Sequence, residues 1–295
     1  MVFVVLRVIC GSGPAWSVAT FADVEIDRDW VHWHQDPGVG CAEHALHERA
    51  GLACRAATAA GVAGRFRTWE QGGVLAVLAT DPALAFLCMV SGVKPQTMSE
   101  VLDLVRDPVW VGVTPTVTAS ADHAGEVGAL LSSAGLVRGL DRALAVRRLD
   151  AAAVVEAGAG VGVVDAEDDS RFVSVLLAGY EVDGPVAAYI AAEHSHPAVR
   201  RLLAVEDGVP AGAAAMTVHG EVAVLGGAST LPRHRGRGVQ SCLIEHRVRR
   251  AVEAGCRLAV ATVRPDSVSE SNLRKAGFRI HRCATWTKPR SGACA

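Results

Sequence analysis

In the second half of the chain the spacing of apolar residues switches between the two-residue period of strands and the three-to-four-residue period of helices. Arg201–Val205 and Ala211–Val218 read as strands joined by the turn Glu206-Asp207-Gly208, and Val222–Thr230 as a third after the turn His219-Gly220. Gly226 and Gly227, inside that third run, predict a bulge or a splayed segment. Leu243, Ile244, Val248, Ala251 and Val252 then recur at helical spacing up to about Ala254, which leaves Glu245, Arg249 and Arg250 outward, and Gly255 ends the helix. Asp165–Ala178 and Pro185–Glu193 read as helices before these elements. Arg257–Val263 reads as a strand, Ser267–Lys275 as a short helix and Phe278–Lys288 as a last strand.

The first half repeats part of this plan. Pro108–Val113 matches Arg257–Val263 as an apolar strand, and LLSSAGLVRGLDRALAVRR (130–148) lines up with NLRKAGFRIHRCATWTKPR (272–290). Each has a helix end, then Ala-Gly and an apolar residue, then a strand that closes on basic residues. This implies two copies of one α/β fold, residues 1–150 and 151–295, linked by the alanine- and glycine-rich stretch 150–162. The copies differ where the second carries RHRGRG (233–238), because the first has SGVKPQT (91–97) at the corresponding place.

The length of 295 residues suits two domains, and with half of the residues apolar and a fifth charged a sizeable core forms. The net charge of −2 argues against a general nucleic-acid binder and makes the arginines near residue 235 a local feature. None of the eight cysteines forms a C-x-x-C pair, which reads as free thiols in a reducing, cytoplasmic setting. The N-terminus MVFVVLRVICGSGPAW lacks a basic leading region, and Arg7 interrupts its apolar run, so neither export nor a membrane span is expected. His32, His34, Cys41, His44 and His47 are spaced unlike any common zinc pattern, so no metal is expected. Trp30 and Trp33 read as core packing rather than an acceptor wall, and Cys242 and Cys256 as small buried hydrophobes rather than acyl carriers.

A glycine-rich turn between a strand and a helix aims several backbone N–H groups one way, and the helix dipole adds positive charge there. Gly236 and Gly238 admit close approach, while Arg235 and Arg237 supply charge-assisted hydrogen bonds for an anion. No Lys-Ser/Thr follows the glycines and no G-x-G-x-x-G opens the helix, which counts against a Walker loop and a dinucleotide site. On the loop alone, a pyrophosphate site and a solvated basic turn both remain open.

LPRHRGRGVQSCLI resembles motif A of the GNAT superfamily of acyl-CoA-dependent N-acyltransferases, [R/Q]-x-x-G-x-[G/A], with Arg235 first, Gly238 fourth and Gln240 in the sixth place. SESNLRKAGF (269–278) resembles the family's second cofactor motif, S-x-x-N-L-x-[R/K]-x-G-F. The likeness covers roughly residues 165–290, and the whole chain resembles the tandem members in which one half is degenerate. It implies two GNAT-like domains, each a mixed, splayed, mainly antiparallel sheet flanked by helices, with a non-catalytic first copy. It implies acetyl-CoA or another acyl-CoA as cofactor and a primary amine of a small molecule or peptide as acceptor, attacking directly in a ternary complex.

In that scheme the backbone of Arg235, Gly236, Arg237, Gly238, Val239, Gln240 and Ser241 holds the pyrophosphate. Ser229, Thr230 and Leu231 pair with the pantetheine arm and supply the oxyanion donor, while Ser269 and Asn272 contact the cofactor from the other side. Leu273 stands where many members carry the acidic tyrosine, so that role does not transfer. Tyr180, Tyr189, Glu206 and Glu221, with His194 and His196, are the remaining candidates for acid and base. The missing tyrosine also admits a non-catalytic acyl-CoA-binding or regulatory protein.

Overall fold

The computed structural model describes residues 37–149 and 161–289. Trp30, His32, Trp33, His34 and most of the expected link at 150–162 lie outside the described residues. The chain opens on α1 (Pro37–Ala59), followed by β1 (Phe66–Gln71), β2 (Val74–Ala79), β3 (Met89–Ser91), α2 (Met98–Arg106), β4 (Thr116–Ser120), α3 (Ala121–Ser133), β5 (Val137–Arg138) and β6 (Arg142–Arg148). Next come β7 (Gly162–Asp165), α4 (Asp169–Tyr180), α5 (Gly184–His194), β8 (Arg200–Glu206), β9 (Val209–His219), β10 (Val222–Val224) and β11 (Ala228–Thr230). The last elements are α6 (Val239–Glu253), β12 (Leu258–Val263), α7 (Val268–Lys275) and β13 (Arg279–Thr287).

One mixed sheet runs through both halves in the order β1-β2-β3-β4-β13-β6-β12-β10-β9-β8-β7, with β11 on β9 and β5 on β13. The β1–β2 and β8–β9 hairpins are antiparallel, and so are β2–β3 and β9–β10. Each run then crosses through a helix to a parallel partner, β3 to β4 through α2 and β10 to β12 through α6. The fold is therefore mixed α/β, with the same order of steps twice. The last strands are exchanged: β6 lies on β12, and β13 lies on β4 while also pairing with β6.

Local chemistry explains the elements of the second run. Asp207 and Gly208 both take positive φ, the mirror-image turn that matches strand twist in a two-residue hairpin. Ser267 caps α7 by accepting the Glu270 amide, and Gly255 and Gly277 leave α6 and α7 with positive φ. The α4 helix starts four residues later than its apolar pattern suggests, because Asp168 caps it through the amides of Ser170 and Arg171. The strand expected at Pro108–Val113 is a correction. Asp107 caps a 3-10 turn over Pro108–Trp110 by accepting the Val109 amide, Gly112 takes positive φ, and the strand begins only at Thr116. Trp110 is buried there while Val111 points to solvent, so the apolar run is a turn around one anchor.

The exchange makes the second run's last strand part of the first run's core. Trp286 on β13 is buried against Val117, Val127 and Leu131, with Gly128 of α3 close against its ring. We expect Trp286→Ala to lower stability by about 3–5 kcal/mol. Urea unfolding should give one transition in which both halves move to lower midpoint, and a loss below about 1 kcal/mol would contradict this packing.

Candidate functional site

The strand after the His219-Gly220 turn is broken where its glycines lie. Val222–Val224 pair with β9 on one side and β12 on the other, and the Leu225 amide donates to Val260 O at 2.7 Å. From Ala228 the chain pairs with β9 alone, so β11 and β12 part and a cleft opens between them. Side chains from the other face fix the break. A β-carbon at Gly226 would lie 2.8 Å from Nε of Arg49, and one at Gly227, which has φ 70°, would fall on Nε2 of His194. The space the glycines clear is thus filled from behind by Arg49 and His194.

Gly227 O accepts from Ala215 and the Leu231 amide donates to Ala211. In this antiparallel ladder Gly227, Ser229 and Leu231 therefore face β9, while the backbones of Ala228 and Thr230 turn to the opening. Of the three residues expected along the cofactor arm, only Thr230 presents its backbone to the cleft. Ser229 is buried, and its hydroxyl donates to Leu176 O. Ala228 is an edge residue that the sequence reading missed.

The cleft holds about 610 Å³, counting the part open to solvent, and Arg49, Tyr180, Gln240, Arg247, Thr262 and Ser269 are its polar lining. Tyr180, at the end of α4, sets its hydroxyl against the Ala228 backbone. Burial raises its pKa above the usual phenol value, so it is protonated at neutral pH. Arg247 is fully enclosed, donating to Leu243 O and Ala215 O, and burial lowers it to about 10. Arg49 reaches in from α1, pairs with Glu193 at 2.7 Å and donates to Thr217 at 3.1 Å, with both charged side chains fully buried. Arg247 has a signal in the sequence, since it repeats Leu243 and Ala251 at four-residue steps on the buried face of α6. Arg49 carries the same signal, standing four residues from Ala45 and from Ala53 on the buried face of α1.

At the mouth of the cleft, α6 begins at Val239 with Gly238 in left-handed conformation and no side-chain cap, so the N–H groups of its first turn have no capping side chain among the described residues. Gly236 is also left-handed, and neither glycine has a heavy atom within 4 Å of where a β-carbon would stand. Arg235 contacts Glu181 at 3.1 Å and Arg237 contacts Glu206 at 3.1 Å, each arginine about half exposed. The Arg235 pair, exposed on both sides, contributes under about 1 kcal/mol, while Arg237 meets a carboxylate that is itself largely buried. Ser269 lines the cleft opposite; Asn272 lies on the same helix, α7. The loop therefore presents an uncapped helix start and uncrowded glycines at the mouth of the cleft.

The other candidates lie elsewhere. Tyr189 packs in the first run's core against Phe66 at 5.6 Å, and burial raises its pKa far up. Glu206 is tied to His234 at 2.5 Å as well as to Arg237, so it braces the loop. Glu221 lies before β10, against Arg257, away from the opening. His196 accepts from the Ala198 amide outside the cleft. His194 donates through Nδ1 to Ile190 O at 2.8 Å, and its buried Nε2 has no hydrogen-bond partner among the described residues. Cys242 and Cys256 are buried with raised pKa and do not line the cleft. Among the described residues no three His, Cys, Asp or Glu side chains gather as a metal site, and no helix is long and apolar enough to cross a membrane.

Residues 165–278 match the model of the Acetyltransferase (GNAT) family. A GCN5-related N-acetyltransferase from Kribbella flavida shares the fold with a TM-score of 0.57 and 19% identity, over 83% of this chain and 97% of that one. A tandem GNAT protein from the clavulanic acid biosynthesis pathway superposes with a TM-score of 0.53 and 19% identity, over 86% and 95% of the two chains. A GCN5-related N-acetyltransferase from Sphaerobacter thermophilus gives 0.53 and 16%, over 81% and 90%. No curated protein matches the sequence.

The buried His194 predicts a pH dependence. Burial lowers its pKa to about 4, against about 6.5 in the unfolded chain. Between those values the unfolded chain binds more protons, so stability falls as pH drops from about 6.5 to 4, by about 3 kcal/mol from this residue. Urea midpoints across that range should fall more steeply for the natural chain than for His194→Asn, and equal slopes would contradict the burial.

Proposed function

We propose, from the premise that residues 165–278 belong to the GNAT acetyltransferase family, that the cleft between β11 and β12 carries out acyl transfer from acetyl-CoA, or another acyl-CoA, to a primary amine. The observation that carries this is the parted strand pair ending at an uncapped helix with two left-handed glycines. The amides from Gly236 to Ser241, with Arg235 and Arg237, would hold the diphosphate. The edge of Thr230 would pair with the pantetheine arm, and Ser269 and Asn272 would close the other wall. Anchoring far from the chemistry orients the reacting carbonyl. The first run, in this reading, is the degenerate copy and shapes the cleft, and residues 1–150 and 151–295 are the two domains.

When bound, the coenzyme supplies an acyl group activated as a thioester. Attack by a neutral amine forms a C–N bond and breaks the C–S bond; the nitrogen gives up a proton to water, and the leaving sulfur takes one. Tyr180 is suited to give it, because its hydroxyl is protonated and lines the cleft beside Ala228. The Thr230 amide, turned to the opening, is the donor available to a developing oxyanion, since the Ala228 backbone already meets the Tyr180 hydroxyl.

Two variants test the reading. Gly238→Glu should stay folded by circular dichroism yet lose CoA binding in calorimetry, since a carboxylate would occupy the anion cradle; unchanged affinity would contradict it. Tyr180→Phe should bind CoA normally and lower kcat by about 100-fold or more in a thiol-release assay with an amine panel. Binding without thiol release in the natural chain would instead favour a non-catalytic acyl-CoA-binding protein.

A further inference from the structure

The cleft between β11 and β12 closes where β10 leaves β12, and arginines from both faces of the sheet reach that end. Val248 of α6 packs in one cluster with Ala223, and Ala45 of α1 in another with Val222 and Val224, so the two helices cover opposite faces of β10. Arg49 comes from α1 and stands behind Gly226. Arg247 comes from α6 and donates through Nη1 to Ala215 O at 3.3 Å, while the Ala215 amide donates to Gly227 O. Both arginines line the cleft, and Arg247 is only 2% exposed. It stands about 12 Å along the α6 axis from Val239, too far in to belong to the anion loop.

Arg49 has its counter-ion in Glu193. Arg247 has none among the described residues. Its Nε and Nη1 take the Leu243 and Ala215 carbonyls, and its Nη2 makes no hydrogen bond among the described residues. Of the groups that act on its charge, Tyr180 favours it and Arg49 opposes it, and no carboxylate is among them. No described Asp or Glu lines the cleft, and the Nε of Arg49 is buried without a hydrogen-bond partner among the described residues. A buried charge ordinarily stands beside an opposite one, because leaving water is costly. Bracing the Ala215 carbonyl needs a donor but not a charge, and the neighbours of Arg247 on the same helix face, Leu243, Ile244 and Val248, are apolar. Folding has already stripped the guanidinium of water, so a guest carboxylate would meet it without that part of the desolvation cost.

Resting on the acyl-transfer reading of this same cleft, we propose that the acyl group it moves ends in a carboxylate, of malonyl or succinyl type, and that Arg247 binds that carboxylate at the closed end of the cleft. The thioester then lies nearer the mouth, at Thr230 and Tyr180, and the acyl tail runs inward from it. The amine nitrogen bonds to the thioester carbon and gives up a proton to water, the C–S bond breaks and the sulfur takes a proton. The tail carboxylate crosses unchanged, so the product is an amide bearing a free acid.

Calorimetry on the full-length protein tests this without knowledge of the acceptor. Malonyl-CoA and succinyl-CoA are compared with uncharged esters of like shape, isovaleryl-CoA and isocaproyl-CoA, with acetyl-CoA and free CoA alongside. We expect each charged ester to bind at least about 10-fold tighter than its uncharged counterpart, the gain of a charge-assisted pair in a desolvated site. Arg247→Met, similar in volume and uncharged, should bring that ratio close to one, whereas a merely structural role would lower both affinities and keep the ratio. Arg247→Lys retains the charge, should keep part of the preference, and serves if the methionine variant does not fold. Equal or weaker binding of the charged esters, with free CoA bound, overturns the proposal and leaves the acyl-transfer reading standing. A preference that survives in Arg247→Met overturns it as well, and so does an amino acid that binds the acetyl-CoA complex only when Arg247 is present, since the guanidinium then serves the acceptor. A protein that binds neither CoA nor any of its esters overturns both readings.

Discussion

Leu225 is the last residue of its strand to hydrogen-bond toward β12, and the shape of the cleft depends on why the pairing stops there. Behind Gly226 and Gly227 stand Arg49 and His194, so close that no β-carbon fits at either glycine. Arg49 is held by Glu193 and Thr217, and His194 by the Ile190 carbonyl. This buried polar cluster pushes the backbone out of the ladder, and β11 resumes on β9 alone. A buried ion pair of this kind adds little net stability over apolar packing, but losing one partner strands a charge and costs about 3–5 kcal/mol. Its place here is therefore better explained by geometry, since it turns the Ala228 and Thr230 backbones to an open cleft.

The same cluster joins the two runs of the chain. Arg49 belongs to α1, yet it lines a cleft whose strands all come from the second run. The exchanged strands β6 and β13 reinforce this dependence, because each run completes its sheet with the other's last strand. A first run without an arginine–glycine loop still shapes the cleft, as it supplies the buried guanidinium behind the bulge and the roof above the sheet.

Much of the second run is legible in the sequence because its signals are local. The Asp-Gly hairpin, the period of α6, the cap at Ser267 and the glycine pair at the break each identify themselves within a few residues. The anion loop is legible for the same reason. The partners of Arg49 are not, since Glu193 and Thr217 lie far from it in sequence, and Ala228 is not, since an edge amide has no side-chain signature. Tyr180 is legible only as one of two tyrosines; the fold separates them by setting one against Ala228 and the other against Phe66. The error at Pro108–Val113 has the opposite origin. Its apolar run reads as a strand although Asp107, Pro108 and Gly112 spell out a capped turn.

The claim that the parted strands and the arginine–glycine loop grip an acyl-CoA is tested most directly by amide hydrogen exchange with and without CoA. Exchange should slow at residues 228–230 and 235–241, and stay unchanged at 91–97, the corresponding stretch of the first run. Protection confined to 91–97, or none anywhere at saturating CoA, would contradict it.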